Sequence, residues 1–480
     1  MNENSGKKQK KASTGRAYTA VFVICICMFL GLISYLIYFQ VVMSEDLNEN
    51  PYNVRIDVTS ENVVRGSILA ADGTVLAGTE TDEEGNENRV YPYGSLFAQT
   101  VGYSDYGASG LESTQNKTLL KSSTDLVSQV QDALNETKHI GDNVITTLRV
   151  DVQQAARDAL GDHQGAVIVM DRSSGAVLAD VSTPDFDPNT VAENWESLSS
   201  DESGSPFLNR PLQGLYAPGS TFKIVTTLAY LREYGSFDDF HYTCGGEYSQ
   251  GGFTIHCNEY TAHGEETLED AFANSCNCAY AYMAAELLDR SYLLETAEDL
   301  GFNREMDLDI AYYPSSYSVT QDTDLAVYMQ TAIGQGDTQV TPMQMAMIAQ
   351  AVANGGDMTK PCYVSGVNTY DGENVSTSYV ESLGQVMTAG EAEELTTLMK
   401  AVVARGTASN LSGLPYDIAG KTGSAQYGDV ESGNTHSWFV GFSNTGQNDI
   451  VVAVLVENGY SLGAYASDAA GAIFQSYFGG

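Results

Sequence analysis

The chain has 480 residues, with 23 Lys and Arg against 62 Asp and Glu, a formal charge of −39, and 43% hydrophobic residues. So acidic a chain repels phosphate, which excludes nucleic-acid binding as its role. The length suggests two or three domains once any membrane segment is set aside.

The N-terminal stretch is basic and then apolar. Lys7, Lys8, Lys10, Lys11 and Arg16 precede a run from Ala17 to Val42 that contains no charged residue, and Glu45 and Asp46 follow it. Ala20 to Phe39 is almost wholly apolar, enough for one membrane-spanning helix. The charge asymmetry predicts a cytoplasmic tail over 1–16, a transmembrane helix over 17–42 and export of the remainder. A cleaved signal peptide is the competing reading. Against it, the apolar run is longer than a signal core and Gly31 to Met43 offers no clear small-x-small cleavage site. Without the five basic residues and one acidic residue ahead of position 45, 18 basic residues face 61 acidic ones, a formal charge of −43. That reads as a solvated surface.

Residues 50–150 are rich in turns and acid, as in Thr79-Glu-Thr-Asp-Glu-Glu-Gly-Asn-Glu-Asn88, with short β-like runs at Val63 to Leu69 and Asn143 to Leu148. They predict a small, mostly β pedestal. The pattern changes from Asp151. A helix, Val152 to Leu160, leads into two strands, Gly165 to Asp171 and Gly175 to Val181, joined by Arg172-Ser-Ser.

Next comes Ala217-Pro-Gly-Ser-Thr-Phe-Lys223, a turn followed by the nearly all-apolar helical run Ile224 to Ala229. A serine hydroxyl is a poor nucleophile until a base removes its proton, and a lysine three residues along a helix lies one turn away on the same face. Ser220 is thus a candidate nucleophile at a helix N-terminus, its backbone N–H serving as one oxyanion donor, and Lys223 is its candidate base. Lys223 must be neutral to act; burial and a second cation, Lys421, both favour that.

Ser275-Cys-Asn277 follows 55 residues after Ser220, and Lys421-Thr-Gly-Ser424 follows 146 residues after Ser275. Ser275 can relay a proton to a leaving amine and Asn277 can bind a substrate amide; taken alone, the triplet also reads as a helix cap. Lys421 to Ser424 lies between Ile418-Ala-Gly420 and the alternating run Ser437 to Phe442, which predicts two adjacent strands. Gly423 would let a ligand lie against the strand, Lys421 and Thr422 would bind a carboxylate, and the Ser424 N–H would be the second oxyanion donor. Each motif alone is weak, since Ser5-Gly-Lys-Lys8 and Ser60-Glu-Asn62 fit the first two patterns. Order and separation together point to a serine acyltransferase. Asp449 to Val456 and Ala466 to Tyr477 read as a last strand and a terminal helix.

Cysteines make a separate pattern. Cys25 and Cys27 fall in the span, as packing or acylation sites. Cys244, Cys257, His263 and Cys276 have the makings of a tetrahedral structural zinc set. The alternative is a Cys244–Cys257 disulfide with Cys276 merely buried. His256 is a spare ligand, and Cys278 and Cys362 have no assigned part.

These three motifs resemble those of penicillin-binding proteins and serine β-lactamases. Asn209 to Ser220, Val403-Ala-Arg-Gly-Thr-Ala408, His436 to Phe442, Arg65 to Ala77 and Gly107 to Glu112 resemble the class B penicillin-binding proteins more closely, and the upstream region is similar to the penicillin-binding protein A group. The resemblance implies an α/β transpeptidase domain of the penicillin-binding and serine β-lactamase type over 151–480, set on the pedestal and anchored by one N-terminal transmembrane helix. It implies a peptidoglycan D,D-transpeptidase that is acylated by β-lactams at Ser220 and needs no cofactor for its chemistry. It further implies a polytopic glycosyltransferase partner of the shape, elongation, division and sporulation type, since a pedestal of this size leaves no room for a glycosyltransferase domain. A metal site between the serine helix and the Ser-x-Asn motif is similar to that of some elongation-class members. Two other readings remain. A β-lactamase of class A would need Glu-x-x-x-Asn, which occurs nowhere between Cys278 and Gly420, and class D would have a hydrophobic residue at Asn277. A β-lactam sensor would have to signal through a short tail.

Overall fold

The computed structural model describes residues 11–39, 63–124, 138–427 and 434–479. The chain divides into two units, residues 1–61 and 62–480. In the first, α1 (Lys11–Tyr38) contains the uncharged, fully exposed stretch Tyr18–Tyr38, with a mean hydropathy of 2.8. At ~1.5 Å per residue it is long enough to cross a hydrocarbon core of ~30 Å. The helix begins inside the expected tail. The first ten residues, the last three of the expected span and segments 50–62 and 125–137 of the expected pedestal lie outside the described residues.

The second unit holds two main sheets. In the six-stranded one, built of the shorter strands, the order is Asn374–Thr377, Val364–Asn368, Asn143–Thr146, Ile68–Leu69, Val75–Thr81 and Glu87–Val90. Four of these six strands are the expected β pedestal. The outer two come from a hairpin more than 200 residues later, Val367 pairing with Val144. Nothing local in the sequence predicts that hairpin, because Asn374–Thr377 is short, polar and wholly exposed. Beside this sheet Glu112 is completely buried between two guanidinium groups, Arg65 Nη2 to Oε2 and Arg89 Nε to Oε1, both at 2.6 Å. The two upstream phrases that carried the family resemblance therefore meet as one ion pair. Removing one partner of such a buried pair costs roughly 3–5 kcal/mol, because a charge is left without compensation.

The other sheet carries the site. From the N-terminal side come α2 (Val150–Leu160), β1 (Gly165–Asp171) and β2 (Val177–Thr183), then α3 (Lys223–Tyr234), α4 (Leu268–Ala273), α5 (Asn277–Tyr282), α6 (Pro342–Ala353) and α7 (Ala389–Arg405). β3 (Ile418–Gln426), β4 (Thr435–Ser443), β5 (Ile450–Val456) and α8 (Ala466–Phe478) follow. The sheet order is β3-β4-β5-β1-β2, antiparallel throughout. α2 and α8 pack on each other and on the sheet, while α6 and α7 pack together against its strands. With helices over the sheet, β2, β4 and β5 are buried at every position, and β5 accordingly reads as a continuous apolar run. β3 is the edge strand and alternates, and that edge carries Lys421 to Ser424.

Candidate active site

Ser220 does not begin an α-helix. Residues Gly219–Phe222 form a 3-10 turn that feeds into α3, whose first residue is Lys223. The tighter turn serves the site better, because side chains at i and i+3 of a 3-10 helix eclipse one another. The turn is fixed by Gly219 N–H donating to Gly334 O at 2.8 Å and by the Thr221 hydroxyl donating to Pro218 O at 2.7 Å. Gly219 has φ +54°, and a Cβ there would come within 2.6 Å of Ser424 O, so only glycine lets the turn sit against β3. Trp438 of β4 steadies the approach, its Nε1 donating to Ala217 O at 3.1 Å. The Ser220 hydroxyl makes no hydrogen bond among the described residues.

Behind it lie two fully buried lysines. Lys223 Nζ donates to Ser275 O at 2.7 Å, to Asn277 Oδ1 at 2.8 Å and to Ser275 Oγ at 3.3 Å. Lys421 Nζ donates to Ser275 Oγ at 3.0 Å and to Thr422 O at 3.0 Å. The Ser275 hydroxyl therefore bridges the two amines, which is the geometry of a proton relay. Burial lowers Lys223 to about 8, opposed by the thiols of Cys276, Cys257 and Cys278 and by Glu266. A lysine at that value is about one-tenth neutral at pH 7, against about one part in 3,000 at its ordinary value. Burial, and then the nearby Lys223, push Lys421 well below the ordinary lysine range. The expected coupling of the two cations is present, and it falls on Lys421.

One expectation needs correction, and two gain detail. Lys421 does not project toward a carboxylate ligand. Its side chain points into the core, on the face it shares with Gly423, while Thr422 and Ser424 alternate to the outer face. Gly423 also answers to packing, because a Cβ there would lie 3.0 Å from Thr221 Cγ2 and 3.1 Å from Pro218 O. Asn277 is engaged at each end of its amide, Oδ1 with Lys223 and Nδ2 donating one hydrogen to His256 O at 3.0 Å, which leaves a second N–H for a substrate. It holds the base in place before any substrate arrives.

Two residues at the outer face went unforeseen. The Thr407 and Thr422 hydroxyls are hydrogen-bonded to each other, and Gln335 Nε2 donates to Ser424 O at 3.4 Å. Thr407 lies in the phrase Val403 to Ala408, so the resemblance marked the segment without giving its use. Nothing local marks Gln335.

The Cys and His set converges. One ligand atom from each of Cys244, Cys257, His263 and Cys276 lies within 4.8 Å of the others. Cys257 Sγ is 3.7 Å from both Cys244 Sγ and Cys276 Sγ, and His263 Nδ1 is 3.5 Å from Cys244 Sγ. The seven cysteines are free thiols, so Cys244 and Cys257 form no disulfide. His256 stays outside the set and offers its carbonyl to Asn277 instead. Cys278, without a part in the sequence reading, places its Sγ 3.4 Å from Cys257 Sγ. Cys362 Sγ lies against Val364 O, away from the set.

Residues 165–478 match the penicillin binding protein transpeptidase domain, and residues 65–144 match the penicillin binding protein A dimerisation domain. The chain is 31% identical over 450 residues to the peptidoglycan D,D-transpeptidase PbpA of Mycobacterium tuberculosis, an alignment covering 88% of this chain and 89% of that protein. It is 30% identical over 443 residues to the protein of the same description from Mycolicibacterium smegmatis, again covering 88% and 89%. Among solved structures, the D,D-transpeptidase domain of a peptidoglycan glycosyltransferase from Eggerthella lenta aligns with a TM-score of 0.78 at 30% identity, covering 87% of this chain and 99% of that one. Penicillin-binding protein A of M. tuberculosis, as its imipenem acyl-enzyme complex, aligns with a TM-score of 0.78 at 28% identity and the same coverage. A serine turn, two buried lysines joined through a second serine, and a domain match across well over half of the sequence agree: the chain belongs to the penicillin-binding protein transpeptidase family.

Proposed function

We propose that this chain is a membrane-anchored, serine-type peptidoglycan D,D-transpeptidase. The observation that carries the reading is the Ser275 hydroxyl held between the amines of Lys223 and Lys421, directly behind the serine turn. Ser220 Oγ attacks the penultimate D-alanine carbonyl of a stem peptide while Lys223 takes its proton. The backbone N–H groups of Ser220 and Ser424 hold the oxyanion, Ser275 passes a proton to the departing D-alanine, and an amine of a neighbouring stem then takes the acyl group. The outward hydroxyls of Thr422 and Thr407 receive the terminal carboxylate. β-Lactams acylate Ser220 as stalled mimics of the same substrate.

The domain organisation follows the sequence reading: tail 1–16, span 17–42, pedestal 50–150 and transpeptidase 151–480, with the catalytic part outside the cell. A polytopic glycosyltransferase in the same membrane would supply the glycan strands. One test separates this from a β-lactamase. Purified protein mixed with nitrocefin should give about one covalent adduct per chain followed by slow release. Sustained rapid turnover would identify a hydrolase instead.

A structural zinc ion fits the thiol and imidazole set. Tetrahedral zinc with Zn–S of ~2.3 Å and Zn–N of ~2.0 Å sets its ligands about 3.8 Å apart for S–S pairs and about 3.5 Å apart for S–N pairs. Three of the six ligand separations, 3.7, 3.7 and 3.5 Å, match those edges, and all six lie within 4.8 Å. Backbone N–H groups of Gly246 and Ala279 also point at Cys244 Sγ and Cys276 Sγ, each at 3.4 Å, as donors that favour thiolate ligands. Such an ion takes no part in acyl transfer; through Cys276 it would fix the turn that bears Ser275 and Asn277. Elemental analysis of the ectodomain, purified without a metal-binding tag, should find about one zinc per chain. His263→Ala should lose it, with a lower thermal midpoint. A metal-free native protein with a Cys244–Cys257 cross-link in its peptide map would reject the site.

A further inference from the structure

Glu266 is the single buried residue on the short strand Gly264–Thr267, and it is a carboxylate at 3% exposure. Its Oε1 accepts a hydrogen bond from Asn274 Nδ2 at 3.0 Å. Its Oε2 is buried with no hydrogen-bond partner among the described residues. An unsatisfied buried acceptor of this kind costs about 1–3 kcal/mol, and more for a charged group. A side chain retained at that cost calls for a use beyond packing.

What it holds is the residue before Ser275. The strand leads through a capping box, Thr267 with Asp270, into α4, which ends at Asn274. Ser275 then takes φ +56°, the left-handed region that non-glycine residues avoid at a cost of order 1–2 kcal/mol. Ser275 N–H donates to Phe272 O at 3.2 Å and Cys276 N–H to Ala271 O at 2.8 Å, closing the end of the helix. This left-handed step turns the Ser275 hydroxyl toward both lysines and its carbonyl toward Lys223. Glu266 also interacts electrostatically with Cys276, so residues on both sides of Ser275 are tied to one carboxylate.

We propose that Glu266 is a positioning residue for acyl transfer: through Asn274 it holds Ser275 in the left-handed turn that presents the serine hydroxyl to Lys223 and Lys421. The inference rests on the reading of Ser275 as the proton relay. Asn274 is held through one carboxylate oxygen, so an amide that keeps that oxygen should keep the function.

The test is the kinetics of acylation by a penicillin, separated into the affinity of the initial complex and the first-order acylation step. Glu266→Ala should slow the acylation step by on the order of tenfold to a hundredfold, with the initial affinity within about twofold of wild type, since a misplaced reacting group lowers rate rather than binding. Glu266→Gln should restore the rate to within about threefold. Asn274→Ala should reproduce the loss, and the double variant should be no slower than either single one. Asn274→Ala also decides the matter if Glu266→Ala does not fold. Wild-type acylation in Glu266→Ala, failure of Glu266→Gln to rescue, a loss confined to initial affinity, or a drop in bound zinc that accounts for the slow rate would each overturn the proposal. Ser275→Ala serves as the control. If it acylates normally, the relay reading itself falls; if it is slow while Glu266→Ala and Asn274→Ala are not, only the present inference falls.

Discussion

Ser220→Ala should abolish covalent labelling by a fluorescent penicillin, with no adduct in the intact mass, while the thermal midpoint stays near that of the wild type. The hydroxyl is the atom that forms the acyl bond, so nothing replaces it once removed. It has no hydrogen-bond partner among the described residues, and its turn is fixed by other groups, Gly219 N–H on Gly334 O and Thr221 Oγ1 on Pro218 O. Substitutions away from such fixed features usually change stability by less than about 0.5 kcal/mol. A labelled, fully folded alanine variant would mean that another group is the nucleophile.

Lys223→Ala should slow acylation by on the order of a hundredfold or more, the usual worth of a positioned general base. The structural cost is mixed. The variant removes a desolvated amine, and it also leaves Ser275 O and Asn277 Oδ1 without the donor that now satisfies both. For that reason the rate should be read beside Lys223→Arg, which keeps a cation near those acceptors but supplies no base at neutral pH. Both variants should be slow. Acylation at the wild-type rate in either would rule out Lys223 as the base.

The chemistry of the site was more legible in the sequence than its wiring. Ser220, Lys223, Ser275, Asn277 and Lys421 can be picked out because each has a side chain suited to one step, and the fold brings them together. Their directions were harder to read. A spacing of three residues fits an α-turn and a 3-10 turn equally, so the tighter geometry at Ser220 depends on Gly334, far along the chain. The inward turn of Lys421 follows from strand alternation, with Gly423 on the same side, and agrees with its expected place as the second cation beside Lys223, but not with its expected direct hold on a carboxylate. Glu266 and Thr407 matter through contacts with residues 8 and 15 positions away, Asn274 and Thr422. Glu266 belongs to no motif, Thr407 sits in a phrase that the resemblance marked without giving its use, and nothing in the local pattern sets either side chain apart from solvent-facing neighbours.

The fold was read best where local signals are strong. β1, β5 and α8 fall within a residue or two of their expected ends, because long apolar runs and clear breakers leave little choice. The pedestal sheet was half visible. Its last two strands are polar, four or five residues long, and paired across a separation that only the folded chain makes short.

The central claim is acyl transfer from a serine, and the product of a full reaction tests it most directly. A synthetic donor peptide ending in D-Ala-D-Ala, incubated with the ectodomain and an excess of an amine acceptor, should release D-alanine and yield the donor joined to the acceptor by a new amide bond, as read by mass spectrometry. Ser220→Ala should yield neither product. Hydrolysed donor as the sole product whatever the acceptor concentration, or the joined product formed undiminished by Ser220→Ala, would contradict the account.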